Sequence, residues 1–352
     1  MATLTRATSA SLTSGRLPSW VTGLLLSVAI LGSATFFLAV GSPGLLRILF
    51  TGALIFASVM MVASLAVEGR RRAKDRLSGI VVTSAFVLAL LPLISLVLSV
   101  VRYGSQRFDL QFFIYSMRSV VGEGGGAAHA ITGTLWVTGL ATVISVPIGI
   151  LAAIYLVEYG TGPLARSITF FVDVMTGIPS IVAGLFAYSV FVLIFGPGTE
   201  SGLAGAVALS VLMMPVVVRS TEELLRVVPN ELREAAYALG VPKWLTVLKV
   251  VLPTALAGIV TGVMLAVARV IGETAPLLIA AGFTQSLNNN PLSGPMMTLP
   301  VFVYRSYVDQ GSPASAYLER AWAGALTLIL IVMILNLAGR LVAARFAPKS
   351  GR

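Results

Sequence analysis

Cysteine is absent, histidine occurs once, and charged side chains make up only 11% of the 352 residues. Each scarcity excludes something. Without thiols, neither a disulfide framework nor a thiolate-held metal can form. A lone His129 leaves little for imidazole chemistry, and no other cofactor or metal motif is evident. None of the lysines follows a glycine, so the chain has no Walker A phosphate loop. Any ATP hydrolysis linked to this protein must come from another polypeptide, and no covalent catalysis is expected of it. Soluble domains carry about 25% charged residues. With 57% hydrophobic residues and a mean hydropathy of +0.94, this chain is expected to be an all-α polytopic membrane protein. Its net charge of +10 points less to nucleic acid than to basic loops on one side of a bilayer.

Apolar runs at 20–40, 45–67, 79–101, 131–157, 168–195, 203–218, 254–283 and 322–342 are expected to be eight spans. The first is longer than the roughly 7–15 residues of a signal-peptide core and is expected to be retained. Residues 1–19 are Ser/Thr-rich and read as a disordered N-terminus. The run 68–76 (EGRRRAKDR) is a basic linker and the best candidate boundary, separating two N-terminal spans (20–76) from a core at 77–343; residues 344–352 form a basic tail. A short interfacial helix is expected around 299–308. With the N-terminus inside, sixteen Lys and Arg residues fall in inner segments and five in outer loops. This asymmetry places both termini in the cytoplasm of a multi-pass cell (inner) membrane protein.

Between the sixth and seventh spans lies the polar stretch 231–253, ELREAAYALGVPKWLTVLKVVLP. Its first half is helix-forming and carries Glu234, Ala235 and Ala236. Gly240 then breaks the helix, because glycine takes a left-handed conformation without steric cost. Residues 243–252 read as a second short helix ending at Pro253. Two short helices at an angle suit docking into a cleft of a soluble partner; an ordinary amphipathic surface loop is the plainer reading.

The seventh span contains Arg269 and Glu273, whose four-residue spacing puts both on one helix face. A lone charge at mid-bilayer costs about 2.5–3.5 kcal/mol, so such residues face a bundle interior or an aqueous path. They form either a self-neutralising structural pair or a site where Arg269 meets a passing oxyanion and Glu273 holds and partly neutralises the arginine between events. Gly272 and Pro276 let the helix bend there. Arg219, at the end of the sixth span, reads as an interfacial anchor or as a charge at the inner mouth of a path. Asp173, ahead of the interrupted stretch 177–184 (GIPSIVAG), is a cap, an arginine partner or a lining residue.

Glu234-Ala235-Ala236, Gly240 and the closing Leu252-Pro253 resemble the coupling loop of ABC importer permeases. Together with Pro179–Leu185 (PSIVAGL), the 219–240 segment and 268–276 (ARVIGETAP), they resemble the phosphate-specific permeases of that family, closer to the PstA than to the PstC type. The resemblance covers about 77–342. It implies a six-helix type I importer core, with the N-terminal pair of spans in excess of it. It also implies a heterodimer with a homologous PstC-type permease, two ATP-binding subunits, an extracytoplasmic phosphate-binding protein, and inorganic phosphate as cargo. In that family the residues matching Arg269, Glu273 and Arg219 are associated with phosphate passage. A permease for sulfate, molybdate or phosphonate shares the loop, and an ion-coupled secondary carrier is the more distant alternative.

Overall fold

The computed structural model describes residues 15, 17–41 and 44–346. Most of the polar N-terminal segment, and the tail from 347 onward, lie outside them. The described residues are helical and contain no strand. Among them, seven helices are long and apolar enough to cross a membrane, and an eighth span results if one sharply bent pair is counted together. The chain divides into two units, 1–98 and 99–352.

In the first unit, α1 (Ser19–Ala39) and α2 (Leu45–Val67) pack along each other. Gly52 lets the backbones approach, since a Cβ there would sit 3.3 Å from Ile30 Cα. Ala29, Phe56 and Met60 fill the seam. The expected linker at 68–76 is largely helical, because α3 (Arg70–Gly104) begins within it. Only Glu68 and Gly69 separate α2 from α3. Glu68 is buried and pairs with Arg76 at 2.7 Å, while the Ser64 hydroxyl and the Leu17 N–H donate to it.

The second unit is built around α8 (Gly202–Val227), the most buried of the spans. Its first turns are almost all small residues, with Ala204, Ala206 and Ala208 fully buried. Lipid tails are as apolar as any side chain, so helices in a bilayer associate through close packing, which small residues allow. α5 (Ala128–Ile154), α7 (Ser180–Phe195) and α11 (Leu252–Val270) all pack on α8. α14 (Ala314–Phe346) covers α11 and α13 (Leu299–Val308), and α13 lies where the interfacial helix was expected. The short α4 (Leu110–Ile114) takes part of the aromatic stretch after α3 and is capped by Asp109, which accepts from the Phe112 N–H.

Three expectations change. The fifth span is two helices, α6 (Pro163–Thr176) and α7, bent by 112° at 177–179. The glycine and proline of Gly177-Ile178-Pro179 end one helix and hold the next in extended entry geometry. The seventh span breaks at 271–274 before the short α12 (Ala275–Ala280). Finally, residues 243–252 are not a separate helix ending at Pro253. α10 (Lys243–Thr246) runs through a π-helical turn, Val247–Val251, straight into α11. The wider turn lets the Leu252 N–H bond back to Val247, five residues earlier, and Pro253, which has no N–H to donate, follows just after this widened turn inside the continuous helix.

Candidate functional site

The loop between α8 and α11 is an exposed helical knob. α8 ends at Val227, and Val228 and Pro229 lead in extended geometry to α9 (Asn230–Ala238). Gly240 sits at φ +77°, the left-handed region. The Val241 N–H bonds to Ala236 O at 3.1 Å and the Gly240 N–H to Tyr237 O at 2.9 Å. This paired closure is the Schellman ending, and it requires a residue without a Cβ penalty at Gly240. Ala236 is buried on the π-helical turn, whereas Glu234, Ala235 and Gly240 face out. Leu239 is 84% exposed and Trp244 61% exposed, so apolar surface lies beside the charge of Glu234.

A cluster of charges lies at the end of α8 nearest this loop. Arg219 is ion-paired with Asp173 of α6 and with Glu222 at 2.8 Å. Glu222 is buried and also takes Arg226 at 2.6 Å. Of the readings open to Asp173, the arginine partner is the one observed.

Arg269 and Glu273 are not arranged as expected. α11 ends at Val270, so the two side chains do not share a helix face, and among the described residues no ion pair joins them. The cause is local. Gly272 has open space around it, and Pro276 has no N–H with which to continue the ladder of α11, so the chain turns at 271–274 and restarts as α12 with Pro276 in its first turn. Arg269 is exposed and Glu273 half-buried. The break lies next to the other one: a Cβ on Gly184, in the second turn of α7, would sit 2.6 Å from Pro276 Cα. The two interrupted spans therefore meet at their restarts. Irregular backbone at membrane depth persists only where protein or a water-filled cavity surrounds it.

Sequence reasoning missed one buried pair. Glu158, in a π-helical turn (Tyr155–Tyr159) that extends α5, binds Arg233 of α9 at 2.8 Å. Arg233 was visible only as one more basic residue, and nothing local links positions 75 residues apart.

Interrupted spans packed on a small-residue central helix, with a rigid exposed knob at one end, define a membrane permease subunit of the ABC importer class. In fold the chain is similar to a chain of "Inward facing conformations of the MetNI methionine ABC transporter", with a TM-score of 0.52 at 20% identity over 63% of this chain and 96% of that one. It is likewise similar to a chain of a bacterial alginate ABC transporter, with a TM-score of 0.52 at 14% identity over 79% and 97%. A profile of the family described as "Binding-protein-dependent transport system inner membrane component" matches residues 145–351. Over 276 residues the chain is 45% identical to phosphate transport system permease protein PstA 1 of Mycobacterium tuberculosis (strain CDC 1551 / Oshkosh), covering 78% of this chain and 90% of that protein. It is 46% identical to PstA of Mycobacterium leprae over 275 residues (77% and 88%), and 39% identical to PstA of Yersinia pestis over 276 (78% and 92%). The chain belongs to the family of binding-protein-dependent inner-membrane transport components, among the PstA-type permeases.

Proposed function

We propose that this chain is the permease subunit of an ATP-driven inorganic phosphate importer. The observation that carries the reading is the knob at 230–246. It is a capped, outward-facing helix carrying Glu234, Ala235 and Gly240, in a chain 39–46% identical to phosphate transport permeases. A homologous PstC-type permease completes the membrane core as a heterodimer. Two ATP-binding subunits receive the knobs, and an extracytoplasmic phosphate-binding protein delivers cargo at the opposite face. The knob is cytoplasmic, as are both termini. Residues 77–343 are the importer core, 20–76 an added helical pair, and 1–19 and 344–352 cytoplasmic ends.

The path runs past the break at 271–274. Arg269, exposed and without a carboxylate partner among the described residues, presents its planar guanidinium to phosphate oxygens, and Glu273 limits how tightly the anion is held. Arg219, already balanced by Asp173 and Glu222, sets the charge at the inner mouth. ATP binding closes the ATPase pair and moves the knobs. A partner that bound both states equally would shift nothing, so the knob must bind open and closed pairs with different affinity.

The test is phosphate uptake in cells lacking their own high-affinity system, supplied with this chain and its partner subunits. Uptake is expected to saturate, to ignore excess sulfate, and to stop when ATP is depleted while the ion gradient is held. Competition by sulfate would move the reading to a broader oxyanion permease. Uptake that survives ATP depletion would overturn it in favour of a gradient-driven carrier.

A further inference from the structure

The transport reading leaves a buried carboxylate without a role. Glu158 lies in the π-helical turn after α5, one residue before its end, with its side chain only 4% exposed. Its partner Arg233 belongs to the docking helix α9. All five N–H groups of that guanidinium have an acceptor. Nε and Nη2 both donate to Glu158 Oε1, at 3.1 and 2.8 Å. Nη2 also donates to Leu225 O at 3.0 Å, and Nη1 to Val228 O at 2.7 Å and Asn230 Oδ1 at 3.2 Å. Leu225 O is one of the last carbonyls of α8, which its own helix cannot pair. One side chain on α9 thus caps α8 and grips α5.

The neighbouring residue makes a second tie. The Lys243 ammonium lies 5.1 Å from the Tyr159 ring centroid, on the far side of the Gly240 turn. The end of α5 therefore holds both arms of the knob. One turn back along α8 from Leu225, Glu222 leads to Arg219 and on to Asp173 of α6. Polar contacts run without a gap in the helices they join, from α9 through α8 to α6.

We propose that Glu158 and Arg233 are positioning residues for coupling: they make α9 move as one body with α5 and α8, so that displacement of the docked knob reaches the path. This rests on the transport reading above. Without the pair the knob still docks, but its motion is absorbed at its two joints, the extended Val228–Pro229 entry and the Gly240 turn. A pair that served folding alone would lower the amount of assembled complex and leave the efficiency of each complex unchanged.

The test uses the complete importer in vesicles: this chain, the homologous permease, the ATP-binding subunits and phosphate-loaded binding protein. ATP hydrolysed per phosphate imported is measured for wild type, Glu158→Gln, Glu158→Asp, Arg233→Lys and the Glu158→Gln/Arg233→Lys double variant. The ratio does not depend on yield. It is expected to rise about tenfold or more in Glu158→Gln and Arg233→Lys, the scale of losing a hydrogen bond between charged groups. The double variant is expected to be no worse than the poorer single one, as for residues acting as one unit. Glu158→Asp keeps the buried charge and shortens its reach. A raised ratio there supports a geometric strut, and a wild-type ratio in all assembled variants overturns it. Wild-type complexes that import no phosphate with ATP would refute the transport reading instead, and so the two failures are told apart.

Discussion

Two arginines near the interrupted spans sit in opposite settings. Arg219, on the unbroken α8, is held by Asp173 and by Glu222, and Glu222 is shared with Arg226. Arg269, one residue before α11 ends, is exposed and makes no ion pair among the described residues. A guanidinium already bound by two carboxylates has little to offer an incoming anion. One left uncompensated at a helix break has its donors available. On the proposal above, the difference separates two roles: Arg219, balanced at the base of α8, sets the charge of the inner mouth, and Arg269 is the one to receive cargo.

The sharpest way to break this comparison is to neutralise both arginines separately. Arg269→Gln is expected to lower phosphate uptake about a hundredfold, the scale of losing one preorganised charged donor. The complex with its ATPase should still be recovered by co-purification, because no structural pair is lost. Wild-type uptake in this variant would remove Arg269 from the path.

Gly240→Val comes next. It forces a β-branched residue to φ +77°, a left-handed conformation that costs about 1–2 kcal/mol or more for residues with a Cβ. Uptake is expected to fall about tenfold, in keeping with roughly 1.4 kcal/mol lost from productive docking, while the amount of chain in the membrane stays the same. Coupled uptake at the wild-type rate would contradict the part given to the knob.

Arg219→Gln should act more weakly on uptake than Arg269→Gln and more strongly on stability. It leaves Asp173 without its arginine and takes one of two arginine partners from the buried Glu222, which Arg226 continues to hold. A lower thermal midpoint with uptake reduced only a few-fold would sharpen the contrast; the reverse ranking would exchange the two roles. The smallest effect is expected of Glu273→Gln on stability. With no ion pair to lose among the described residues, the change should stay within about 0.5 kcal/mol, as at most sites that make no specific contact. A large drop in the midpoint would reveal a pairing with Arg269.

Much of this fold was legible in the sequence, because spans announce themselves by length and hydropathy. α2 and α13 lie at the expected positions, and the interruption visible at 177–184 is where the fifth span bends. The capped turn at Gly240 was legible for the same reason: one glycine after a helix-forming run has few alternatives. The errors came where a local rule was carried across a break. The four-residue spacing of Arg269 and Glu273 implies a shared face only if the helix continues, and Gly272 and Pro276, both visible, stop it. Pro253 looked like a terminus because a π-helical turn leaves no mark in residue spacing. Arg219 with Asp173, and Arg233 with Glu158, are 46 and 75 residues apart, and only the packing of α5 and α6 on α8 brings them together.

Because the chain has no cysteine, a single introduced thiol reports from one place. Gly272 is exposed, with no neighbour within 4 Å of a Cβ placed on it, and it lies between Arg269 and Glu273. The most direct measurement is the rate at which a small water-soluble thiol reagent modifies Gly272→Cys in the complete, transport-competent importer. The account predicts that phosphate-loaded binding protein with ATP changes that rate, and that sulfate in place of phosphate does not. A rate indifferent to phosphate, in a variant that still imports it, would contradict the claim that the break at 271–274 lines the path.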